Sequence, residues 1–200
     1  MELSNVIMNN NEMMETSITN LLLMFQRRGY FNSDNKDKIE KIVKDIKENK
    51  IAYLDGNEKV GIFYENNILK NISSGSEVDD FLSKNLNMKK FVIVREFPKK
   101  VYKQIKNYKN SEIFFIFEFL EDIPSKVFIP EHQLLSKENI DELKKNYELE
   151  NLPKIYNTDK MSRYYGAKVG DVFRIIRYNL NSGTSVYYRV VVNDSSIYFL

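Results

Sequence analysis

The sequence predicts an α+β protein of two domains, 1–125 and 126–200. In the first half, apolar residues at helical spacing alternate with short runs rich in β-branched and aromatic residues. That pattern stops at Asp122-Ile123-Pro124-Ser125, a proline-bearing break that reads as the boundary. Beyond it, a second series of short strands and helices centres on Asp159 to Arg177.

Met1 to Thr16 is polar, with Asn9-Asn10-Asn11 in its middle, and reads as a loose arm. Ser17 is placed to cap a helix whose Ile18, Leu21, Leu22 and Phe25 share one face. Arg27-Arg28-Gly29 ends that helix, since cations suit its last turn and glycine suits the residue beyond. A second helix over 36–49 buries Ile39, Ile42, Val43 and Ile46 and leaves its lysines and acids to solvent. Ile51 to Leu54 and Val60 to Tyr64 read as a hairpin around Asp55-Gly56-Asn57. Ser76 opens a short helix carrying Val78, Phe81 and Leu82. Phe91 to Val94 reads as a strand buried on both sides, Pro98 as a helix start, and Ile113 to Leu120 as an apolar strand. Strand, helix and strand in this order predict a βαβ-like unit.

In the second domain the expected elements are a strand at 127–129, a helix at about 136–147, and a short helix at 159–165. Strands follow near 171–178, 185–192 and 196–200. Thr158 or Asp159 caps the short helix and Gly166 ends it; Gly170-Asp171 is a turn into a strand from Val172 to Tyr178.

Composition narrows the function classes. The hydrophobic fraction of 42% and aromatic fraction of 13% suffice for real cores. With 30 basic and 28 acidic residues the net charge is +2, so any nucleic-acid contact must come from a local patch. The chain has no cysteine, which removes disulfides, Cys-ligated zinc and thiol nucleophiles. No apolar run reaches the roughly 18 residues of a membrane span, and no secretory signal is read at the N-terminus. No membrane partner is expected. The lone His132, at a strand end in Ile129-Pro130-Glu131-His132, reads as structural. Glu118, Glu121 and Asp122 cluster near one strand end, but no Glu-x-Lys partner stands in a matching strand for a metal nuclease. Phosphate loops and nucleophile elbows are absent too, so neither catalytic residues nor a metal or other cofactor is expected.

Several motifs agree in order and spacing with one family. They are Phe128-Ile129-Pro130-Glu131-His132, Leu152-Pro153-Lys154-Ile155, the Asp159–Arg177 segment with Gly166 and Gly170, Gly183, and Tyr188-Arg189. Through them the chain resembles the fifth common subunit of eukaryotic nuclear RNA polymerases, a family with archaeal members. Arg28-Gly29-Tyr30-Phe31 matches the N-terminal part of the eukaryotic members, and archaeal members have only the C-terminal domain. The resemblance implies an N-terminal jaw domain of nuclease-like architecture without cleavage activity. It also implies a small C-terminal α+β assembly domain with a mixed sheet, docked on the largest polymerase subunit. Pro130, His132, Pro153, Gly166, Gly170 and Gly183 then take structural roles. The chain departs at Asp159-Lys160, where the family has Asp-Pro, and at Asn179-Leu180-Asn181, where it has Ser-Glu-Thr; both lie in turns. Heavy use of Asn, Lys and Ile, as in an AT-rich genome, suggests a large DNA virus of eukaryotes. The implied location is intracellular: nucleus if cellular, viral factory or virion if from a cytoplasmic virus.

Two basic clusters stand out. Between Lys89 and Lys109 the only acid is Glu96. After Pro98, Lys99, Lys103 and Lys106 follow one helix face with Lys100 beside them, which fits either solvent or phosphates. The family's jaw approaches downstream double-stranded DNA through a proline loop at the place of Pro98, here with the departure Phe97-Pro98-Lys99-Lys100. The second cluster includes Arg163, Arg174, Arg177 and Arg189, with Tyr164 between. Strand alternation sends Arg174 and Arg177 to opposite faces, so they cannot form one patch. The resemblance assigns them, with Tyr164, to the polymerase interface. The competing reading is a free-standing nucleic-acid-binding regulator that keeps the subunit fold.

Overall fold

The computed structural model describes residues 8–30, 36–84, 86–179 and 183–194, and they form a mixed α and β protein. The chain divides into two compact units, 1–122 and 123–200.

In the first unit, helix α1 (Asn10–Arg27) begins well before Ser17. Asn9 caps it by accepting from the Glu12 amide, and the Glu12 carboxylate accepts from the Asn9 amide in return. From Asn9 onward the polar run that reads as a loose arm is therefore a helix start, and its first seven residues lie outside the described residues. Ser17 lies buried inside the helix, its hydroxyl donating to the Met14 carbonyl. Helix α2 (Lys36–Asn49) turns Ile42, Val43 and Ile46 inward. Strands β1 (Ile51–Asp55) and β2 (Lys59–Ile68) form the antiparallel hairpin. Helix α3 (Glu77–Lys84) buries Val78, Phe81 and Leu82, and β3 (Lys89–Glu96) lies parallel to β2.

Helix α4 (Lys99–Ile105) starts at Pro98 and leads to β4 (Ser111–Phe115), parallel to β3. This completes the strand–helix–strand unit and a sheet ordered β1-β2-β3-β4. The expected strand over 113–120 stops at Phe115, because Ile116–Phe119 turns into a 3₁₀-helix. Glu118 holds that turn, its carboxylate accepting from the Phe115 amide at 2.8 Å. Continuous apolarity suits a buried 3₁₀ turn as well as a buried strand, so the sequence does not separate them.

In the second unit the expected strand at 127–129 is a turn with Val127 and Phe128 exposed. The strand lies just after it, as β5 (Glu131–Leu134). Helix α5 (Lys137–Leu143) is capped by Ser136 and is shorter than expected. Strand β6 (Lys154–Tyr156) and helix α6 (Lys160–Tyr164) precede the long hairpin β7 (Val172–Asn179) and β8 (Gly183–Val192). The sheet order is β5-β7-β8-β6, mixed because β6 runs parallel to β8. The expected strand at 196–200 lies outside the described residues.

Alternation along β7 divides the core of this unit in two. Val172 and Val190, cross-strand partners, pack with Leu143 of α5. Phe173, Ile175 and Val191 pack on the other face with Ile155, Tyr165 and Ala167. A sheet only four strands wide thus has a small core on each face.

Candidate functional site: two basic surfaces

The first surface lies on α4. Its apolar residues Val101 and Ile105 are buried, which turns Lys99, Lys100, Lys103 and Lys106 outward to solvent. Pro98 supplies the extended residue before the helix and offers its carbonyl to the Val101 amide at 2.9 Å. Lys106 is the C-cap rather than a helical residue, and its ammonium sits 4.7 Å from the Tyr102 ring centre. That cation–π contact holds Lys106 partly against the helix.

Lys90, which belongs to the same basic stretch of sequence, is fully buried at 0% exposure. Its ammonium donates to the Leu82 carbonyl at 2.6 Å, near the C-terminal end of α3, where a cation suits the helix dipole. Burial pushes its pKa below the ordinary lysine value. The sequence held the signal: in a strand, Lys90 shares a face with Val92 and Val94, both buried.

Another missed charge is Arg28, whose side chain is only 2% exposed and forms a bidentate pair with Glu112 at 2.7 and 3.0 Å. Its guanidinium also lies over the Phe91 ring at 5.4 Å. Burial opposes the charge, but Glu112 and Tyr30 together outweigh it and the net shift is upward. The pair joins the end of α1 to β4, 84 positions apart, so no local pattern announces it. It gives the Arg28-Gly29-Tyr30 motif a structural task.

Two of the candidate nuclease carboxylates are engaged within the fold. Glu118 caps the 3₁₀ turn, and Asp122 accepts two hydrogen bonds from the Arg27 guanidinium. Among the described residues, no group of three or more His, Cys, Asp or Glu is placed to hold a metal ion. None of the described helices is long and apolar enough to cross a membrane.

The second surface is divided by the sheet. Arg174 lies opposite Tyr188 and beside Gln133, donating to the Gln133 side-chain carbonyl at 3.1 Å. Arg177 lies on the other face, 5.2 Å from the Tyr187 ring centre. Arg189, opposite Phe173, shares that second face and donates to the Lys154 carbonyl at 3.3 Å. Arg163 stands half-buried in the last turn of α6, and Tyr164 beside it is buried.

The structural residues support this arrangement. Asp159 caps α6, accepting from the Met161 amide at 2.8 Å, and Gly166 follows the helix at φ +65°. That left-handed conformation strongly disfavours a β-branched residue. Gly170 and Gly183 have φ of +94° and +72°. His132 Nδ1 is 2.7 Å from the Pro130 carbonyl, which only accepts, so Nδ1 carries the proton. Burial holds the His132 pKa below its ordinary value, and the ring meets Phe173 edge-on at 5.7 Å. Pro153 offers its carbonyl to the Val190 amide at 2.9 Å, fastening the chain just before β6 to β8.

Comparison with known proteins fits the second unit closely. The family described as "RNA polymerase Rpb5, C-terminal domain" matches residues 121–191. DNA-directed RNA polymerase subunit Rpo5 of Methanocaldococcus jannaschii is 38% identical over 72 residues, 35% of this chain and 92% of that protein. The Rpo5 of Archaeoglobus fulgidus is 44% identical over 68 residues, 33% of this chain and 90% of that protein. DNA-directed RNA polymerase subunit 5 of Acanthamoeba polyphaga mimivirus is 35% identical over 123 residues. That match covers 60% of each of the two chains.

Proposed function

The chain belongs to the RNA polymerase subunit 5 family, and on that premise we propose that it is a non-catalytic subunit of a multisubunit DNA-directed RNA polymerase. The second unit is its assembly domain and docks on the largest subunit, with Arg163, Tyr164, Arg174, Arg177 and Arg189 at or beneath that interface. The observation that carries this reading is the match over 121–191, which coincides with the compact unit 123–200. Exposed Val127, Phe128, Tyr178, Val186 and Tyr187 support it, because apolar surface of this kind marks protein interfaces. The first unit serves as the jaw of nuclease-like architecture, and the Pro98–Lys106 surface faces downstream double-stranded DNA. Exposed ammonium groups without base-reading amides suit phosphate contact and no sequence readout.

Such a subunit works inside the cell, in a nucleus if cellular, or in a viral factory or virion if viral, and needs no cofactor of its own. Purification through a tag on this chain tests the reading. Recovery of a polymerase core at one copy per copy is expected. Recovery of the chain alone, or bound to nucleic acid without polymerase, would establish the free-standing regulator instead.

A further inference from the structure

Between α5 and the β5–β7–β8 face, the second unit holds an open cleft of about 360 Å³. Gln133, Asn139, Glu142, Tyr147, Arg174 and Tyr188 shape it. Arg174 is half-buried in its wall, and its hydrogen bond goes to the neutral amide of Gln133. Among the described residues it has no carboxylate partner. Glu142 lines the same cleft but forms no ion pair with it. A half-buried guanidinium carries five donors in a planar fork and loses hydration that one neutral acceptor does not replace. Arg28 shows the alternative in this same chain, where a buried guanidinium takes both oxygens of a carboxylate. The rings of Tyr147 and Tyr188, 6.3 Å apart, offer an apolar wall beside the charge.

We propose that this cleft receives one acidic side chain, flanked by an apolar residue, from the polymerase subunit on which the unit docks. The carboxylate completes Arg174 in a bidentate pair, and the apolar neighbour rests against Tyr147 and Tyr188. Glu142 excludes a second acid, so the segment carries a single negative charge at this point. The choice of a polymerase subunit as occupant rests on the assembly reading above, whereas the carboxylate preference follows from Arg174 and its surroundings alone.

Two measurements on the full-length chain test the proposal separately from that reading. In the first, the Arg174 Nε–Hε resonance is followed while N-acetyl-Leu-Asp-Leu-amide, its Asn counterpart, or acetate is added. The Asp peptide should shift Arg174 saturably and leave Arg177 unmoved, while the Asn peptide does nothing. Equal shifts from both peptides, or from acetate alone, would overturn a peptide-docking cleft. In the second, tagged R174Q and R174K chains are compared with the parent for retention on the polymerase core. R174Q should keep its melting temperature and leave the core at least about tenfold faster, and R174K should recover part of the loss. Retention equal to the parent would overturn the proposed occupant. If the parent itself recovers no core, the assembly reading fails, and the peptide titration still decides whether the cleft binds a carboxylate.

Discussion

The two units each build a sheet of four strands, yet they bury it differently. In the first, Phe91, Val92, Ile93 and Val94 are successive and all buried, and the neighbouring Val60 to Tyr64 are buried as well. Helices and the 3₁₀ turn cover both faces, so the charges are left outside or, like Arg28 and Lys90, satisfied within. In the second, burial is confined to one end of the hairpin. Tyr178, Val186 and Tyr187, toward its other end, stay exposed. The lesson is a division of labour: the first unit completes its own core, and the second leaves apolar and cationic side chains that we assign to a partner.

Substitutions that disturb this contrast should differ most in stability. Glu112→Gln leaves Arg28 buried without its counter-ion, and should cost about 3 kcal/mol in urea unfolding. That is the low end for a broken buried pair, because Glu112 itself is 36% exposed. Arg177→Gln, at an exposed position in the second unit, should change unfolding by less than about 0.5 kcal/mol while weakening retention on the polymerase. Equal stability losses from both would erase the distinction between the units.

Gly166→Val forces a β-branched residue into φ +65° and should cost about 2 kcal/mol. Loss of cooperative unfolding in the second unit, with the first unaffected, is the expected pattern. An unchanged transition would show that the turn after α6 relaxes freely.

The element boundaries show where sequence reasoning succeeds and where it stops. Helices with a wide apolar stripe, such as α2, and the hairpin around Asp55-Gly56-Asn57 are legible because their signals are local. Asn9-Asn10-Asn11 misleads because capping residues are also loop residues. Val127-Phe128-Ile129 misleads because an apolar triplet resembles a strand even when its side chains face solvent. The opposite placement of Arg174 and Arg177 follows from alternation, but the cleft around Arg174 depends on α5 and stays hidden until the chain is folded. The Arg28–Glu112 pair is hidden for the same reason.

Lys90 supplies a pH test within the first unit. Its folded-state pKa is lowered by burial, so the unfolded chain binds more protons between that value and the ordinary lysine value near about 10.4. Stability should therefore rise with pH through this window as the burial penalty on the ammonium disappears. Below the window the penalty is fully present. Lys90→Met should lack this part of the rise, seen as the difference between the two stability–pH curves. Parallel curves would mean that Lys90 titrates as it does in the unfolded chain.

The smallest stability effect should come from Lys99, Lys103 and Lys106, all exposed. Their replacement by Gln should leave unfolding unchanged. For polymerase on a downstream duplex, the slope of log affinity against log salt should fall by up to about 3. Lys106 should contribute least, since its ammonium already rests on Tyr102. An unchanged slope would return these lysines to the solvent.

Cross-linking of the assembled enzyme tests the division of labour most directly. With the full-length chain in a transcribing complex, Lys154, Lys160 and Lys168 of the second unit should cross-link to the largest subunit. Photoreactive downstream duplex should label the first unit at Lys99 to Lys103. Protein cross-links confined to the first unit, with DNA labelling in the second, would contradict the account.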